Sequence, residues 1–270
     1  MIPYSFTYHR PNSLAEAQAL LSRSPDAKLL AGGQTLIAAM KLRLANPASL
    51  IDISNLDELS FIRREGNAML IGAATTHADV ANSPEVQRAI TALAHLAELI
   101  GDPAVRHMGT LGGSIANNDP AADYPAAVLA LGATIRTSQR EIAGDDFFTG
   151  MFSTALNEGE IVTSVAFRIP DSAGYAKFRN PASRYAMVGV FVAKFGADVR
   201  VAVTGAAPCV FRSLEMEAAL ARNFAPEAVA GIAIPAEGLN SDLHASAQYR
   251  AHLVTVMAKR AVEAASHLSG

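Results

Sequence analysis

Apolar positions recur at helical spacing in three well-marked stretches and alternate as strands between them. Leu14, Ala17, Leu20 and Leu21 form one helical stripe, with Ser13 and Glu16 at capping-box spacing and Ser24-Pro25 as the stop. Lys28 to Ala31 predicts a strand, Leu36 to Leu44 a helix and Ser49 to Ile53 another strand, the beginning of a small α/β subdomain. Phe61 to Arg64 and Met69 to Ala73 flank Glu65-Gly66-Asn67 as a hairpin. Thr75-Thr76-His77 offers a hydroxyl cap to the next helix, which makes His77 a helix-start residue. Ser83-Pro84 opens a helix that carries Val86, Ile90, Leu93, Leu96 and Ile100 on one face and stops at Gly101. Tyr124 to Leu131 predicts a helix closed by Gly132.

From Thr134 the pattern turns strand-like. Ala133 to Thr137, Glu160 to Ile169 and Gly174 to Phe178 predict the sheet of a second subdomain. Tyr185 to Ala193 and Val199 to Gly205 predict an antiparallel meander around Phe195-Gly196-Ala197-Asp198. Beyond Arg212 the chain reads as helical, ending in an amphipathic segment capped by Ser246 with Tyr249, Leu253, Val256, Ala261 and Ala264 inward. Strands followed by helices mark a separate α+β unit, and Asp171-Ser172-Ala173-Gly174 is the break before it.

Two stretches carry the polar chemistry. Thr110-Leu111-Gly112-Gly113-Ser114-Ile115-Ala116-Asn117-Asn118-Asp119 concentrates small and polar residues in an alanine-rich chain, as a nucleotide-binding loop needs; a Gly-Gly bulge with an Asx-rich turn is the alternative. Leu30-Ala31-Gly32-Gly33-Gln34-Thr35-Leu36 places a second glycine pair between a strand and a helix, where successive backbone N–H groups suit a pyrophosphate. Neither matches G-x-G-x-x-G or G-x-x-x-x-G-K-[ST], so the cradle belongs to neither a Rossmann turn nor a P-loop.

Composition narrows the function classes. At 270 residues the chain holds two subdomains or domains, and a net charge of −3 gives no reason to expect nucleic acid or an anionic membrane as partner. No apolar run approaches the ~20 residues of a membrane span, and the start lacks the marks of a signal peptide. One cysteine, Cys209, is too few for an iron–sulfur cluster, which takes about four, and fits a reducing cytoplasm. The seven histidines show no metal-ligand spacing, and neither H-E-x-x-H nor G-x-S-x-G is present.

The glycine motifs, in this order and followed by Asp119-Pro120-Ala121-Ala122-Asp123, resemble the FAD-binding medium subunits of molybdenum hydroxylases, the carbon monoxide dehydrogenase and xanthine dehydrogenase family. The likeness runs from Phe6-Thr7-Tyr8-His9-Arg10-Pro11 to Ser241-Asp242-Leu243-His244. It implies an α+β chain: a two-lobed FAD-binding domain of the vanillyl-alcohol-oxidase (PCMH) type over 1–172, with subdomains of about 1–55 and 56–172, and a smaller C-terminal domain of antiparallel sheet and helices over 173–270. It implies FAD on Leu30 to Leu36 and on Thr110, Leu111, Gly112, Gly113, Ser114, Ala116 and Asn117, with Ala73 and Thr76 near the flavin. Asp123 matches a position on the adenosine side, Ile161 one at the adenine, and Lys177 and Tyr185 positions at the isoalloxazine. Helix capping ahead of Tyr124 is a second role open to Asp123, and a solvated strand position one open to Lys177.

The implied complex is a heterotrimer, (αβγ)2. A large subunit holds the molybdenum cofactor, and a small subunit with two [2Fe–2S] clusters feeds the flavin, which reduces an external acceptor. The four-cysteine insert of the 4-hydroxybenzoyl-CoA reductase flavoprotein is missing, which disfavours that branch. The alternatives are a self-sufficient flavin oxidase or reductase of the same fold and a cofactor-free scaffold.

Overall fold

The computed structural model describes residues 2–267; Met1 and residues 268–270, the last of the expected C-terminal domain, lie outside it. The first lobe contains β1 (Thr7–His9), α1 (Leu14–Arg23), β2 (Ala27–Leu30), α2 (Leu36–Lys41) and β3 (Ser49–Asp52). Its three strands are parallel in the order β1-β3-β2, over a small core of Ala17, Ile51, Leu56 and Leu59. Ser13 caps α1 through the Glu16 N–H as the spacing predicts, although the Glu16 carboxylate reaches back to the Asn12 N–H rather than to Ser13. The helix expected to reach Leu44 ends at Lys41, because Arg43 turns left-handed at φ 61°.

The second lobe holds β4 (Ile62–Glu65), β5 (Ala68–Gly72), α3 (His77–Asn82), α4 (Pro84–Ala89), α5 (Thr91–Glu98), α6 (Pro103–Arg106), α7 (Leu111–Asn117), α8 (Tyr124–Ala130), β6 (Thr134–Thr137), β7 (Glu141–Ala143), α9 (Gly144–Phe147), β8 (Phe148–Gly150), β9 (Ser153–Thr154) and β10 (Val162–Arg168). Its sheet is antiparallel in the order β4-β5-β10-β6-β7 and packs against the alanine-rich helices α5 and α8. The hairpin turns through Gly66 at φ 58°, as its sequence predicts. The single helix expected from Ser83 to Ile100 is two, because the backbone extends at Ile90 (φ −145°, ψ 69°), with Ile90 still in the core.

A third sheet, β11-β12-β13-β14, is formed by β11 (Ser172–Arg179), β12 (Ala186–Phe195), β13 (Asp198–Thr204) and β14 (Phe211–Arg212). The segment Gly174 to Phe178, expected in the second lobe's sheet, belongs here, where β11 pairs with β12 over eight register positions. Then come α10 (Leu214–Arg222), α11 (Pro226–Val229) and the long α12 (Ala247–His267); much of the intervening chain is irregular, not helical as expected. α12 lies so close to β11 that a Cβ on Gly174 would strike the Ala261 carbonyl. Its buried face is Leu253, Val254, Met257, Ala258, Ala261 and Val262. Tyr249, expected inward, is 42% exposed and meets Phe178 edge-on at 6.1 Å.

Candidate functional site

β2 delivers the first glycine pair at its C-terminal end. Gly33 takes φ 69°, a conformation glycine adopts without the Cβ penalty, and Gly32 lies where a Cβ would run into the Met108 carbonyl oxygen. The backbone N–H groups of Gly33, Gln34 and Thr35 donate to no acceptor among the described residues, and Thr35 makes no side-chain cap to α2. Three consecutive free donors at a turn form an anion-binding concavity.

The second glycine pair is not a loop. Leu111–Asn117 is helix α7, with Thr110 as N-cap bonded to the Gly113 N–H at 3.1 Å. Its first amides are already bonded: Leu111 to the Thr75 carbonyl, Gly112 to that of Ala73 at 2.8 Å, and Ser114 to that of Thr110. The two glycine pairs therefore do different work. The turn supplies free donors, whereas α7 supplies a surface without side chains: a Cβ on Gly112 would come within 2.5 Å of the Ala73 Cβ, while Gly113 and Ala116 stand exposed with Ser114 and Asn117 half-buried beside them.

These elements wall a cleft of about 1460 Å³, above the roughly 300–1,000 Å³ usual for drug-sized ligands and roomy enough for a dinucleotide. The expected residues Leu30, Ala31, Gly32, Gly33, Gln34, Thr35, Leu36, Ala73, Thr110, Gly112, Gly113, Ser114, Ala116, Asn117, Asp123, Ile161 and Tyr185 all line it. Thr76, Leu111 and Lys177 do not. Thr76 is taken up by its capping box with Asp79 and its bridge to Thr110, and Leu111 is wholly buried in the core. Leu156, Asn157 and Gln139 also line the cleft, near Ile161. That wall is held by Glu160, whose carboxylate accepts from Thr137, Arg140 and the Asn157 N–H at 2.6–3.1 Å. Burial alone would raise the Glu160 carboxyl; these hydrogen bonds outweigh it and hold it at about 2.

Asp123 and Lys177, matched to the adenosine and isoalloxazine positions, lie side by side. The Lys177 ammonium is 2.9 Å from Asp123 Oδ1 and also donates to the Leu99 carbonyl; the two side chains are 2% and 4% exposed. Lys177 is thus buried and paired rather than a solvated strand residue, and it stands behind Asp123, which lines the cleft. Tyr175 Oη donates to Asp123 Oδ1 at 2.5 Å, in space left by Gly189, where a Cβ would crowd that hydroxyl. Burial pushes the Asp123 carboxyl above the usual carboxylate range, against the pull of Lys177 and Tyr175. Asp123 makes no side-chain cap to α8, which removes helix capping as its role. Tyr175 escaped the sequence reading, although two positions from Lys177 in a strand put both on one face.

Tyr185, 48% exposed, lines the cleft just after Arg184, which is held at φ 62°. His77 starts α3 as expected, but it is also buried and lines the cleft; desolvation first, then the Arg106 charge, lower it to about 4, so it is neutral at ordinary pH. Among the described residues no cluster of His, Cys, Asp and Glu is arranged to hold a metal ion, and no helix is long and apolar enough to cross a membrane.

Residues 4–172 match the family described as the FAD binding domain in molybdopterin dehydrogenase. The chain belongs to this family. It is an oxidoreductase component whose cofactor is FAD, and its fold is the two-lobed FAD-binding arrangement followed by the antiparallel sheet and helices. It is 40% identical to the carbon monoxide dehydrogenase medium chain of Hydrogenophaga pseudoflava over 98% of each chain. It is 35% identical to the nicotine 6-hydroxylase medium subunit of Paenarthrobacter nicotinovorans over 94% of this chain and 95% of that one. Among solved structures, quinoline 2-oxidoreductase from Pseudomonas putida 86 superposes with a TM-score of 0.90 at 28% identity, covering 100% of this chain and 99% of that one. The family's cofactor fits the residues present: the free amides of Gly33, Gln34 and Thr35 suit an anion such as a diphosphate, and the cleft they line has room for a dinucleotide.

Proposed function

We propose that this chain is the FAD-binding, electron-transferring medium subunit of a cytoplasmic molybdenum hydroxylase. It takes electrons from the [2Fe–2S] clusters of a small subunit and passes them to an external acceptor, while a large subunit bearing the molybdenum cofactor oxidises the substrate, in an (αβγ)2 assembly. The observation that carries the reading is the run of unpaired amides at Gly33, Gln34 and Thr35 in the same cleft as the glycine surface of α7. The relatives support it: they are medium chains of carbon monoxide dehydrogenase and nicotine 6-hydroxylase. The unit that binds FAD would be 1–172, and 173–270 would reach the cleft through β11 and Tyr185.

In this reading the pyrophosphate rests on the turn amides, with Ser114 and Asn117 as further polar partners. Ile161 and its neighbours take the adenine, Asp123 a hydroxyl of the adenosine side, and Tyr185 a face of the ring. Bound FAD supplies the redox chemistry, accepting and releasing electrons while the protein sets its orientation and electrostatics. Gly33→Asp places a charge and a strained φ at the turn, and Gly113→Asp a carboxylate on the bare surface of α7. Both variants, folded by circular dichroism, are expected to lose FAD retention in a visible spectrum after gel filtration. Full retention in folded variants refutes the cradle. Co-purification of the native chain with iron–sulfur absorbance and two partner subunits tests the assembly.

A further inference from the structure

Two buried polar groups, one in the wall of the cleft and one in the core behind it, have no partner among the described residues, and they are neighbours. His77 Nδ1 and Tyr124 Oη are both buried without a hydrogen bond, and their rings lie 5.4 Å apart, inclined at 46°. A buried polar atom left unpaired is costly, and native proteins meet that cost with an internal water or a ligand. Tyr124 is wholly enclosed in the core, so its hydroxyl can be met only from inside. His77 stands between: the residue lines the cleft, its N–H backbone group bonds the Gly109 carbonyl at 2.9 Å, and its Nε2 edge faces Gly109, where a Cβ would come within 2.6 Å of that nitrogen. Gly109 lines the cleft as well.

We infer that His77 is a positioning contact for the bound cofactor, presenting its Nε2–H to an acceptor atom of FAD while one internal water links its Nδ1 to the Tyr124 hydroxyl. The inference rests on the FAD reading above. A neutral imidazole has one donor and one acceptor, and the bond made by one nitrogen fixes the role of the other. A hydroxyl-bound water donating to Nδ1 leaves the proton on Nε2, the nitrogen on the cleft side. The ring is kept neutral by burial and by the Arg106 charge, so this tautomer persists across ordinary pH. The Arg106 charge makes a second positive charge on the ring unfavourable, whereas a neutral donor suits an uncharged carbonyl or ring nitrogen.

The test uses the full chain loaded with FAD. In 15N-histidine NMR, His77 is expected as the Nε2–H tautomer, and Tyr124→Phe, which removes only the hydroxyl, is expected to mix the tautomers. FAD affinity, read by flavin fluorescence on titration, separates the two nitrogens: His77→Gln, whose amide reaches the place of Nε2, should bind within about threefold of the parent, while His77→Asn, which mimics Nδ1, should bind about tenfold more weakly, the loss of one hydrogen bond. An Nδ1–H tautomer in the loaded parent overturns the inference, as does equal affinity of the Gln and Asn variants. A parent chain that binds no FAD overturns the FAD reading itself, a result distinct from either.

Discussion

Lys177→Met should destabilise the protein most at high pH. The substitution keeps the length of the side chain and removes the ammonium that lies 2.9 Å from Asp123 Oδ1, leaving the carboxylate 4% exposed with the Tyr175 hydroxyl as its remaining side-chain partner and the Leu99 carbonyl without its lysine donor. Breaking a buried pair from one side costs about 3–5 kcal/mol, a large part of the roughly 5–15 kcal/mol that holds a domain folded. The carboxyl, already pushed up by burial, rises further without its counter-charge. The folded variant then holds a proton that the unfolded chain has released, and its stability falls with rising pH by up to about 1.4 kcal/mol per unit until the folded carboxyl ionises. Urea unfolding of the FAD-free chain from pH 5 to pH 8 reads this directly. The expected result is a small loss at pH 5, a loss of about 3–5 kcal/mol at pH 8, and substantial recovery in the double variant Asp123→Asn, Lys177→Met, where a neutral amide needs no counter-charge. A loss below about 1 kcal/mol with no slope in pH would mean that the pair is solvated, and the reasoning from burial would fail.

Glu160→Gln should weaken the wall beside Ile161 in a pH-dependent way. The carboxyl held at about 2, against an ordinary 4.5, contributes stability that is present above pH 4.5 and lost as pH falls toward 2. Full conversion of that shift is about 3 kcal/mol, reduced to about 2 because Arg140 is 44% exposed. Urea midpoints of parent and variant should therefore differ at pH 7 and converge near pH 2; a constant gap would contradict the assignment. Asn118 holds φ 43° and donates to the Gly150 and Ser153 carbonyls at 2.7 Å. Asn118→Gly should lose about 2 kcal/mol, for two hydrogen bonds, and Asn118→Ala about 1 kcal/mol more, for the left-handed backbone. Thermal unfolding that ranks glycine below alanine would refute the backbone part of this.

Local chemistry was legible where a residue acts on its near neighbours. Ser13, Thr76 and Gly66 cap or turn the chain where their positions predict, because each bond or backbone requirement spans only a few residues. The break at Ile90 was hidden, since the side chain keeps the helical spacing and remains in the core while only the backbone departs. The helix α7 was hidden for the opposite reason. Glycines and asparagines are poor helix formers, and the helix is ordered by carbonyls of Ala73 and Thr75, about forty residues upstream by the numbering, that its own sequence does not reveal. Of the cleft, the two glycine stretches that line it could be picked out in the chain, but not the helical form of the second. The joining of Asp123 to Lys177 could not, for those residues stand 54 apart and meet only when β11 crosses to the second lobe.

β11 makes the C-terminal sheet a structural stakeholder in the cofactor cleft. Tyr175 and Lys177 are on its edge of the third sheet, Asp123 is in the second lobe, and Gly189 on the neighbouring strand keeps the space for the tyrosine. Exchange of C-terminal units between family members, by recombination or in engineered chimeras, is therefore constrained at this seam. A graft whose incoming strand lacks the lysine, the tyrosine or the facing glycine would inherit a stranded carboxylate in the wall of its cleft, however well the two halves fold apart, so compatible halves must be chosen by this quartet rather than by similarity across the junction.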